Sequence, residues 1–299
     1  RYEDALSGFL SLQDNTKYKT LVPYYIAEIY LIKKNYDKAE IVAQNYLSAY
    51  PNQKYTGEMY RIQGTADYYS GKYHEAAEAF NRYLKDNVES TRRRDALYML
   101  GMSYYQTGVY SQVPVILGEV TTDNDALTQN AYLHMGLAYL QLADRNKARM
   151  AFEQAAASDA DQKIKEQASY NNALCIHETS YSAFGESVTV FENFLNEFPN
   201  SAYADKVSSY LVEVYMNTRS YDAALKSIER ITHPGRAILE AKQKILFQLG
   251  TQSFANTQFE QAIGCFNQSI ALGGYNLQTK ADALYWLSLI HISEPTRLA

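Results

Sequence analysis

The sequence contains few of the residues that interrupt or cross-link a chain. Its 299 residues include 2 cysteines, 6 prolines and 14 glycines. The cysteines, Cys175 and Cys265, lie far apart in the sequence, and neither belongs to a CxxC or Cys/His spacing. A disulfide framework and a zinc site are therefore not indicated, and we expect each cysteine to be a small apolar packing residue.

Long apolar runs and excess positive charge are also missing. No run approaches the roughly 20 residues that cross a bilayer, so no membrane span is predicted. The formal net charge is -5, which does not suit a phosphate-binding surface, and we expect no nucleic-acid partner. The one basic run, Arg92 to Arg94, is followed by Asp95 and is interpreted as a solvated helix start.

Catalytic and cofactor motifs are absent too. There is no GxGxxG or P-loop pattern and no visible Ser/His/Asp or Cys/His arrangement. His134 and His177 fall in neighbouring repeats and could approach one another, but no spacing supplies a third metal ligand. We therefore expect no catalytic, metal or cofactor site and a protein that is not an enzyme.

A recurring phrase fills most of the chain. An aromatic residue is followed three places later by a small residue and four further on by a large apolar one, as in Tyr73-Ala76-Phe80. Successive copies begin 34 to 39 residues apart, which is typical of a repeat array. The copies at 36, 110, 145 and 184 depart from the pattern. We predict second helices that start near residues 2, 36, 73, 110, 145, 184, 221 and 259.

A second helix in each unit is indicated upstream. Seven of these starts have a residue nine positions upstream that is usually small. In four of the seven it is glycine, for example Gly64 and Gly101. Interior glycine costs a helix about 1 kcal/mol, and close approach of a neighbouring helix would offset that cost. Each unit therefore reads as two amphipathic helices, and stacking of neighbours buries their apolar faces. We predict an all-α, right-handed α-solenoid of about eight helix-turn-helix units over residues 1–286, with a further first helix from about 277.

These residues resemble the tetratricopeptide repeat. That family has a helix-turn-helix of roughly 34 residues, with a small residue in the first helix and an aromatic, an alanine and a bulky residue in the second. The matches include Gly64, Gly71, Tyr73, Ala76 and Phe80. The resemblance implies a binding scaffold of unspecified partner.

One stretch carries a narrower likeness. Residues 191–205, FENFLNEFPNSAYAD, are similar to segments of envelope-associated tetratricopeptide proteins of Bacteroidetes. The resemblance implies a periplasmic or outer-membrane-associated location, with a cytoplasmic one also open. Physically, Pro199 is expected to end one helix, and Asn200 or Ser201 to cap the next.

Both ends are expected to be incomplete. The first unit has a second helix from Tyr2 but no first helix, so we expect the natural protein to extend upstream. Residues 287–299 break the repeat in mid-helix and resemble a translated sequencing adapter, so we predict a non-native tail. A divergent C-terminal cap is the alternative.

The family resemblance places a peptide-binding groove on the first helices. The predicted groove is rich in aromatic residues, which suit an extended peptide or a helix from a partner. Its residues are Tyr24, Glu28, Arg61, Tyr68, Tyr98, Met102, Tyr105, Leu133, Glu213, Phe247 and Phe254. The paired basic residues with which some members grip a C-terminal carboxylate are not matched by Glu58, Arg61, Asp95 and Tyr98.

The leading functional hypothesis is a non-catalytic scaffold that binds a protein or peptide, and the resemblance places it in bacterial envelope assembly or maintenance. The alternative is the sensory or regulatory arm of a larger signalling or transcription-regulating protein. No cofactor is expected, and the oligomeric state is left open.

Overall fold

A computed structural model describes residues 1–86, 91–179, 185–218 and 220–293. In these residues the chain is helical throughout, without a β-strand, and the predicted fold class is confirmed. The helices are α1 Tyr2–Ser11, α2 Val22–Ile32, α3 Tyr36–Ala49, α4 Thr56–Tyr69, α5 Tyr73–Asp86, α6 Arg93–Gln106, α7 Val113–Gly118, α8 Ala126–Gln141, α9 Arg145–Ala156, α10 Gln162–Thr179, α11 Glu186–Glu197, α12 Ala204–Asn217, α13 Tyr221–Glu229, α14 Arg236–Ala255, α15 Phe259–Ala271 and α16 Leu277–Ser293.

The second helices begin where the recurring phrase places them, with one exception. Helices α1, α3, α5, α9, α13 and α15 start at the predicted residue. Helix α7 starts at Val113 rather than Tyr110. Pro114 explains the shift, because proline has no N–H. In a helix that began at Tyr110, residue 114 would need an N–H to donate to the Tyr110 carbonyl. In the first turn of a helix the N–H groups have no such acceptor, so Pro114 is tolerated there. The start predicted at Phe184 lies outside the described residues.

The chain divides into two compact units, Arg1–Ala168 and Ser169–Ala299. Within the first unit, the first helices of adjacent hairpins contact one another: α2 with α4, α4 with α6, and α6 with α8. In the second unit, α12 contacts α14, and α14 contacts α16. The single solenoid over 1–286 and the count of eight repeats remain predictions.

Each hydrophobic core is shared by neighbouring hairpins. One cluster joins Ala39 and Tyr46 of α3 to Met59 and Ile62 of α4. The next joins α5 to α6, and the one after it joins α6 and α7 to α8. A hairpin therefore completes its core only with the hairpin beside it, as expected for a repeat array.

The interior glycines lie against large side chains of the same hairpin. A Cβ atom on Gly101, Gly136 or Gly250 would come within 2.4–2.6 Å of a side-chain carbon of Leu117, Phe152 or Phe266, respectively. At Gly64 the corresponding distance, to Phe80, is 3.1 Å. The predicted close approach is confirmed, and the residue that approaches is the last member of the recurring phrase.

The turn between the two helices of a hairpin uses a left-handed residue at a fixed place. Gly71 and Gly108 have φ of 79° and 77°, and Lys34, Ala143 and Thr257 have φ between 57° and 61° at the equivalent position. This conformation favours glycine because it has no Cβ atom. The turn geometry is therefore retained in three hairpins whose residue does not favour it.

In each of three hairpins, a long polar side chain of the first helix forms hydrogen bonds with the loop that leads to the next hairpin. Nε2 of Gln129 donates to the carbonyls of Ala155 and Ser158 at 3.0 and 2.6 Å, and its Oε1 accepts from the Asp161 N–H at 2.7 Å. Gln243 makes the equivalent contacts near the end of α15. Arg94 donates to the Val120 carbonyl and, with two nitrogens, to Asp125.

The expectations for the basic run and for one helix cap need correction. Arg92, Arg93 and Arg94 stand at the start of α6, as expected, but each also donates a hydrogen bond to a carboxylate of the protein. Helix α12 begins at Ala204, too late to be capped by Asn200 or Ser201. The Ser201 hydroxyl instead accepts from the Tyr203 N–H at 3.0 Å in the preceding turn.

Helix α16 continues past the predicted break at Leu287 to Ser293. Leu287 and the buried Ile290 pack in the last hydrophobic cluster. The foreign origin of residues 287–299 remains a prediction, and residues 294–299 lie outside the described chain. Among the described helices, none combines the length and hydropathy needed to cross a membrane.

Candidate functional site

The candidate site in the first unit is the face that α2, α4, α6 and α8 share, here called the first-helix face. It carries the predicted residues Tyr24, Glu28, Arg61, Tyr68, Tyr98, Met102, Tyr105 and Leu133. Adjacent first helices are in contact, so side chains from successive repeats meet on this face.

An ion cluster occupies one part of the first-helix face. Glu28 accepts hydrogen bonds from Arg61 Nη2 and, at 2.5 Å, from Arg92 Nη1. Arg61 Nε also donates to Glu58 at 2.7 Å. The cluster therefore joins three successive repeats and balances two carboxylates against two guanidinium groups. Such mutual neutralisation stabilises a fixed arrangement but leaves little net charge for a ligand.

Sequence reasoning missed half of this cluster. Arg92 stands in the basic run that was interpreted as solvated, and Glu58 was considered only for a different type of site. Their positions within the repeat could have indicated that these residues meet. Glu28 and Arg61 lie on one face of successive first helices, and Glu58 lies one turn before Arg61 on that face.

Tyrosine rings occupy the rest of the face. The Tyr24 ring stacks on that of Tyr55 with centroids 4.8 Å apart. Tyr68 meets Tyr69 and Tyr73 edge-on at 5.4 and 5.6 Å. Tyr24 and Tyr68 are half-buried, so each ring packs on the protein and is still partly open to solvent.

Two further tyrosines extend the series on α6. Tyr98 is half-buried, and Tyr105 meets Tyr110 and His134 edge-on at 5.6 and 5.4 Å. His134 comes from the neighbouring first helix, and its Nδ1 donates a hydrogen bond to the Asn130 carbonyl at 3.0 Å. Burial lowers the pKa of His134, which favours the neutral ring.

Burial fixes the protonation of the predicted tyrosines. It raises the pKa of Tyr68 to about 12, and it also raises the pKa of Tyr24, Tyr98 and Tyr105. Loss of a phenolic proton in a poorly hydrated place is unfavourable. The four hydroxyls therefore remain neutral donors and acceptors over the physiological pH range.

The other predicted residues differ in how much of their surface is exposed to solvent. Met102 and Leu133 are only 6% and 3% exposed, so they present little surface to a partner. In the second unit, Glu213 is exposed on α12. Phe247 packs against Phe266 with centroids 5.8 Å apart.

Phe254 is likewise engaged within the second unit. Its ring meets those of Phe259 and Trp286 edge-on at 5.6 and 5.0 Å. The structure thus brings Tyr24, Glu28, Arg61, Tyr68, Tyr98 and Tyr105 onto contiguous first helices of one unit. The groove assignment as a whole remains a prediction.

Stacked hairpins of this kind define the class of helical-repeat proteins. Residues 63–111 and 129–162 match two family models, both described as tetratricopeptide repeat. The chain thus contains tetratricopeptide repeats in these two segments, both of which lie in the first unit. No curated protein matches the chain.

Solved structures with related architecture include a tetratricopeptide repeat protein from Parabacteroides merdae (18% identity, 87% of this chain and 94% of that one, TM-score 0.44). The C-terminal part of a TPR repeat-containing protein from Cytophaga hutchinsonii is 15% identical, covers 95% and 94% of the two chains, and has a TM-score of 0.44. The apo form of the quorum sensor NprR from B. thuringiensis is 13% identical over 90% and 81%, with a TM-score of 0.46. At these values none of them assigns a function.

Proposed function

We propose that this protein is a non-catalytic scaffold and that the first-helix face of its first unit binds an extended peptide or a helix of a protein partner. The observation that carries the proposal is the series of half-buried, neutral tyrosines on successive first helices: Tyr24, Tyr68, Tyr98 and Tyr105. Tyrosine offers a large contact area and a hydroxyl at low entropic cost, because few of its torsions need to be fixed. The neutralised ion cluster beside them would hold the helices in register without attracting one charge sign.

The test begins with peptides selected by display against the folded protein, followed by calorimetric titration of one selected peptide. We expect Tyr98→Ala and Tyr105→Ala each to weaken binding by about tenfold or more, as buried aromatic contacts do. Tyr98→Phe separates the hydroxyl from the ring. The matched control is Tyr2→Ala, which removes an exposed tyrosine from a second helix.

Thermal unfolding of each variant shows whether lost binding reflects lost structure. If folded Tyr98→Ala and Tyr105→Ala proteins bind every selected peptide as well as the parent does, the groove assignment is wrong. Robust turnover in a hydrolase screen would contradict the non-catalytic part of the proposal.

We further propose a bacterial envelope setting. Its support is the FPNSAYAD segment around Pro199 and its likeness to envelope-associated repeat proteins. The sequence of the longer gene tests this point. A signal peptide upstream would agree with it, whereas a kinase or DNA-binding segment downstream would favour the regulatory alternative.

A further inference from the structure

A cleft of about 400 Å³ lies between α2 and α3 of the first unit, here called the first cleft. Ile26 and Tyr30 of α2 and Ile41, Val42 and Tyr46 of α3 contribute to its walls. Its size lies within the roughly 300–1,000 Å³ of small-ligand sites, and its lining is mostly apolar and aromatic, as in such sites. On α2, Ile26 and Tyr30 lie on a different side of the helix from Tyr24 and Glu28, so the cleft is separate from the first-helix face.

The first cleft has a counterpart at the same place in a later repeat. A second cleft, of about 410 Å³, lies between α8 and α9. Measured from the start of each second helix, Ile26, Tyr30 and Ile41 occupy the same positions as Met135, Tyr139 and Met150. The two clefts therefore lie at the same place in their repeats and form a natural pair for comparison.

Both clefts follow a short second helix. Helices α3 and α5 have 14 residues each, whereas α1 has 10 and α7 has 6. The last turn of α5 brings Leu84 against the core that contains Leu97. At the end of the short α7, a Cβ atom on Gly118 would meet no neighbouring side chain within 4 Å.

Charge distinguishes the two clefts. Lys19, which lines the first cleft, lies 6.0 Å above the Tyr50 ring, and Lys38 lies 5.5 Å above the Tyr30 ring. Neither lysine pairs with a carboxylate of the described chain, and no carboxylate lines this cleft. The charges of Lys19, which lines the cleft, and of Lys38, beside the Tyr30 ring, are therefore not compensated by a carboxylate of the described chain.

The second cleft has the same lysine but not the same charge. Lys147 lies 5.7 Å above the Tyr139 ring, at the repeat position of Lys38, and is paired with Asp144 at 2.9 Å. Glu153, which also lines that cleft, is paired with Arg149 at 2.9 Å. The repeat that carries the first cleft has the neutral Asn35 where the other has Asp144.

We propose that the first cleft is a second binding site, for a ligand with an apolar body and one carboxylate. The apolar part would occupy the space between Ile26 and Ile41, and the carboxylate would lie at the rim beside Lys19, which lines the cleft. Lys38, at the opposite end of the hairpin beside Tyr30, would add positive potential at longer range. The ligand could be a free small acid or the C-terminal apolar residue of a polypeptide, since both present this chemistry. The site does not depend on peptide binding at the first-helix face.

The test is a methyl NMR titration of the whole chain with 4-phenylbutyrate and with its neutral amide. The isoleucine methyls of residues 26 and 41 report on the first cleft, and the methionine methyls of residues 135 and 150 report on the second. We expect the acid to shift the isoleucine methyls with an affinity about fivefold higher than the amide, the scale of exposed ion pairs. The methionine methyls should show no preference for the acid.

Substitution of the exposed lysines completes the test. The double variant Lys19→Gln, Lys38→Gln should lower the acid's affinity to that of the amide and leave the amide's affinity unchanged, whereas Lys147→Gln should change neither. Equal affinities for acid and amide, an acid preference that survives the double variant, or no shift at residues 26 and 41 would each overturn the proposal.

A third ligand identifies the source of the carboxylate. Acetyl-Gly-Gly-Phe, compared with its C-terminal amide, presents the same chemistry on a peptide. If it shifts the isoleucine methyls at least as strongly as 4-phenylbutyrate does, a polypeptide C terminus is the natural ligand. If only the small acid binds, the ligand is a free carboxylic acid.

Discussion

A Cβ atom on Gly136 would lie 2.5 Å from Cε1 of Phe152, closer than packed carbons tolerate. We expect Gly136→Ala to lower the free energy of unfolding by about 2 kcal/mol, because overpacking outweighs the gain in helix propensity. Urea unfolding measures the change. Gly8→Ala is the matched control, since open space surrounds this helical glycine, and it should raise stability by up to about 1 kcal/mol. A Gly136→Ala protein as stable as its parent would show that Phe152 moves aside freely.

Asp67 stands where Tyr30, Tyr104, Tyr139 and Tyr215 stand in other repeats. It is 1% exposed, and neither carboxylate oxygen has a hydrogen-bond partner within normal distance and angle limits. Burial, with a smaller effect of Glu40, raises its pKa to about 7, although the nearby Lys72 ammonium opposes the shift. The folded protein therefore favours the protonated form.

This burial predicts a pH-dependent stability. The folded pKa of Asp67 lies above the unfolded value, so its ionisation costs the folded state progressively between about pH 4 and pH 7. We expect the free energy of unfolding of the parent protein to fall by about 2–3 kcal/mol between pH 5 and pH 8 because of this ionisation, and we expect Asp67→Asn to abolish that fall. Urea unfolding of parent and variant at both pH values measures the difference. An equal pH dependence in the two proteins would contradict the assigned pKa.

Among the elements, the link from one hairpin to the next depends on Gln129, Gln243 and Arg94. Gln129→Met keeps the volume but leaves two carbonyls and one N–H near the start of α10 without partners. We expect a loss of about 2–3 kcal/mol, since unsatisfied buried polar groups are costly. Thermal or urea unfolding measures it, with Gln141→Met at the exposed end of α8 as the control. A Gln129→Met protein that matched the control would mean that these hydrogen bonds add no stability.

The sequence predicted the helices better than these links. Aromatic, small and bulky residues at helical spacing define a helix locally, and Pro114 was the local feature that moved one start. The role of Gln129 could not be read in this way, because its partners belong to the loop after α9. The ion cluster on the first-helix face was hidden for the same reason, since Glu28, Arg61 and Arg92 come from three repeats.

At the scale of the whole molecule, the two compact units contain separate buried polar groups. In the second unit, Glu192 is 3% exposed and accepts from Arg230 Nε and Nη2 at 2.7 and 2.8 Å. The Ser227 hydroxyl also donates to Glu192, and the Tyr215 hydroxyl lies 2.6 Å from that of Ser227. Removal of Arg230 would therefore leave a buried carboxylate without its cation.

Arg230→Met should destabilise the second unit selectively. The expected cost is about 2 kcal/mol, less than for a fully buried pair because the Arg230 side chain is 57% exposed. Repeats couple mainly to their neighbours, so hydrogen exchange should accelerate at residues 204–231 and remain unchanged at residues 22–156. The control Lys244→Met removes a pair within one helix whose carboxylate, on Glu240, is more exposed than that of Glu192. Uniform acceleration across both ranges would indicate that the chain opens as one cooperative body.

The glycine and the bulky residue that it accommodates always belong to one hairpin. Gly64 faces Phe80, and at the same offset the small Ala27 and Ala43 share one core. A gene duplication that copies an entire hairpin therefore carries its steric match with it. Recombination within the turn does not. Joining α2 to α5 would set Ala27 against Phe80, and joining α4 to α3 would leave a void between Gly64 and Ala43, so exchange between repeats is expected to respect the loops that separate hairpins.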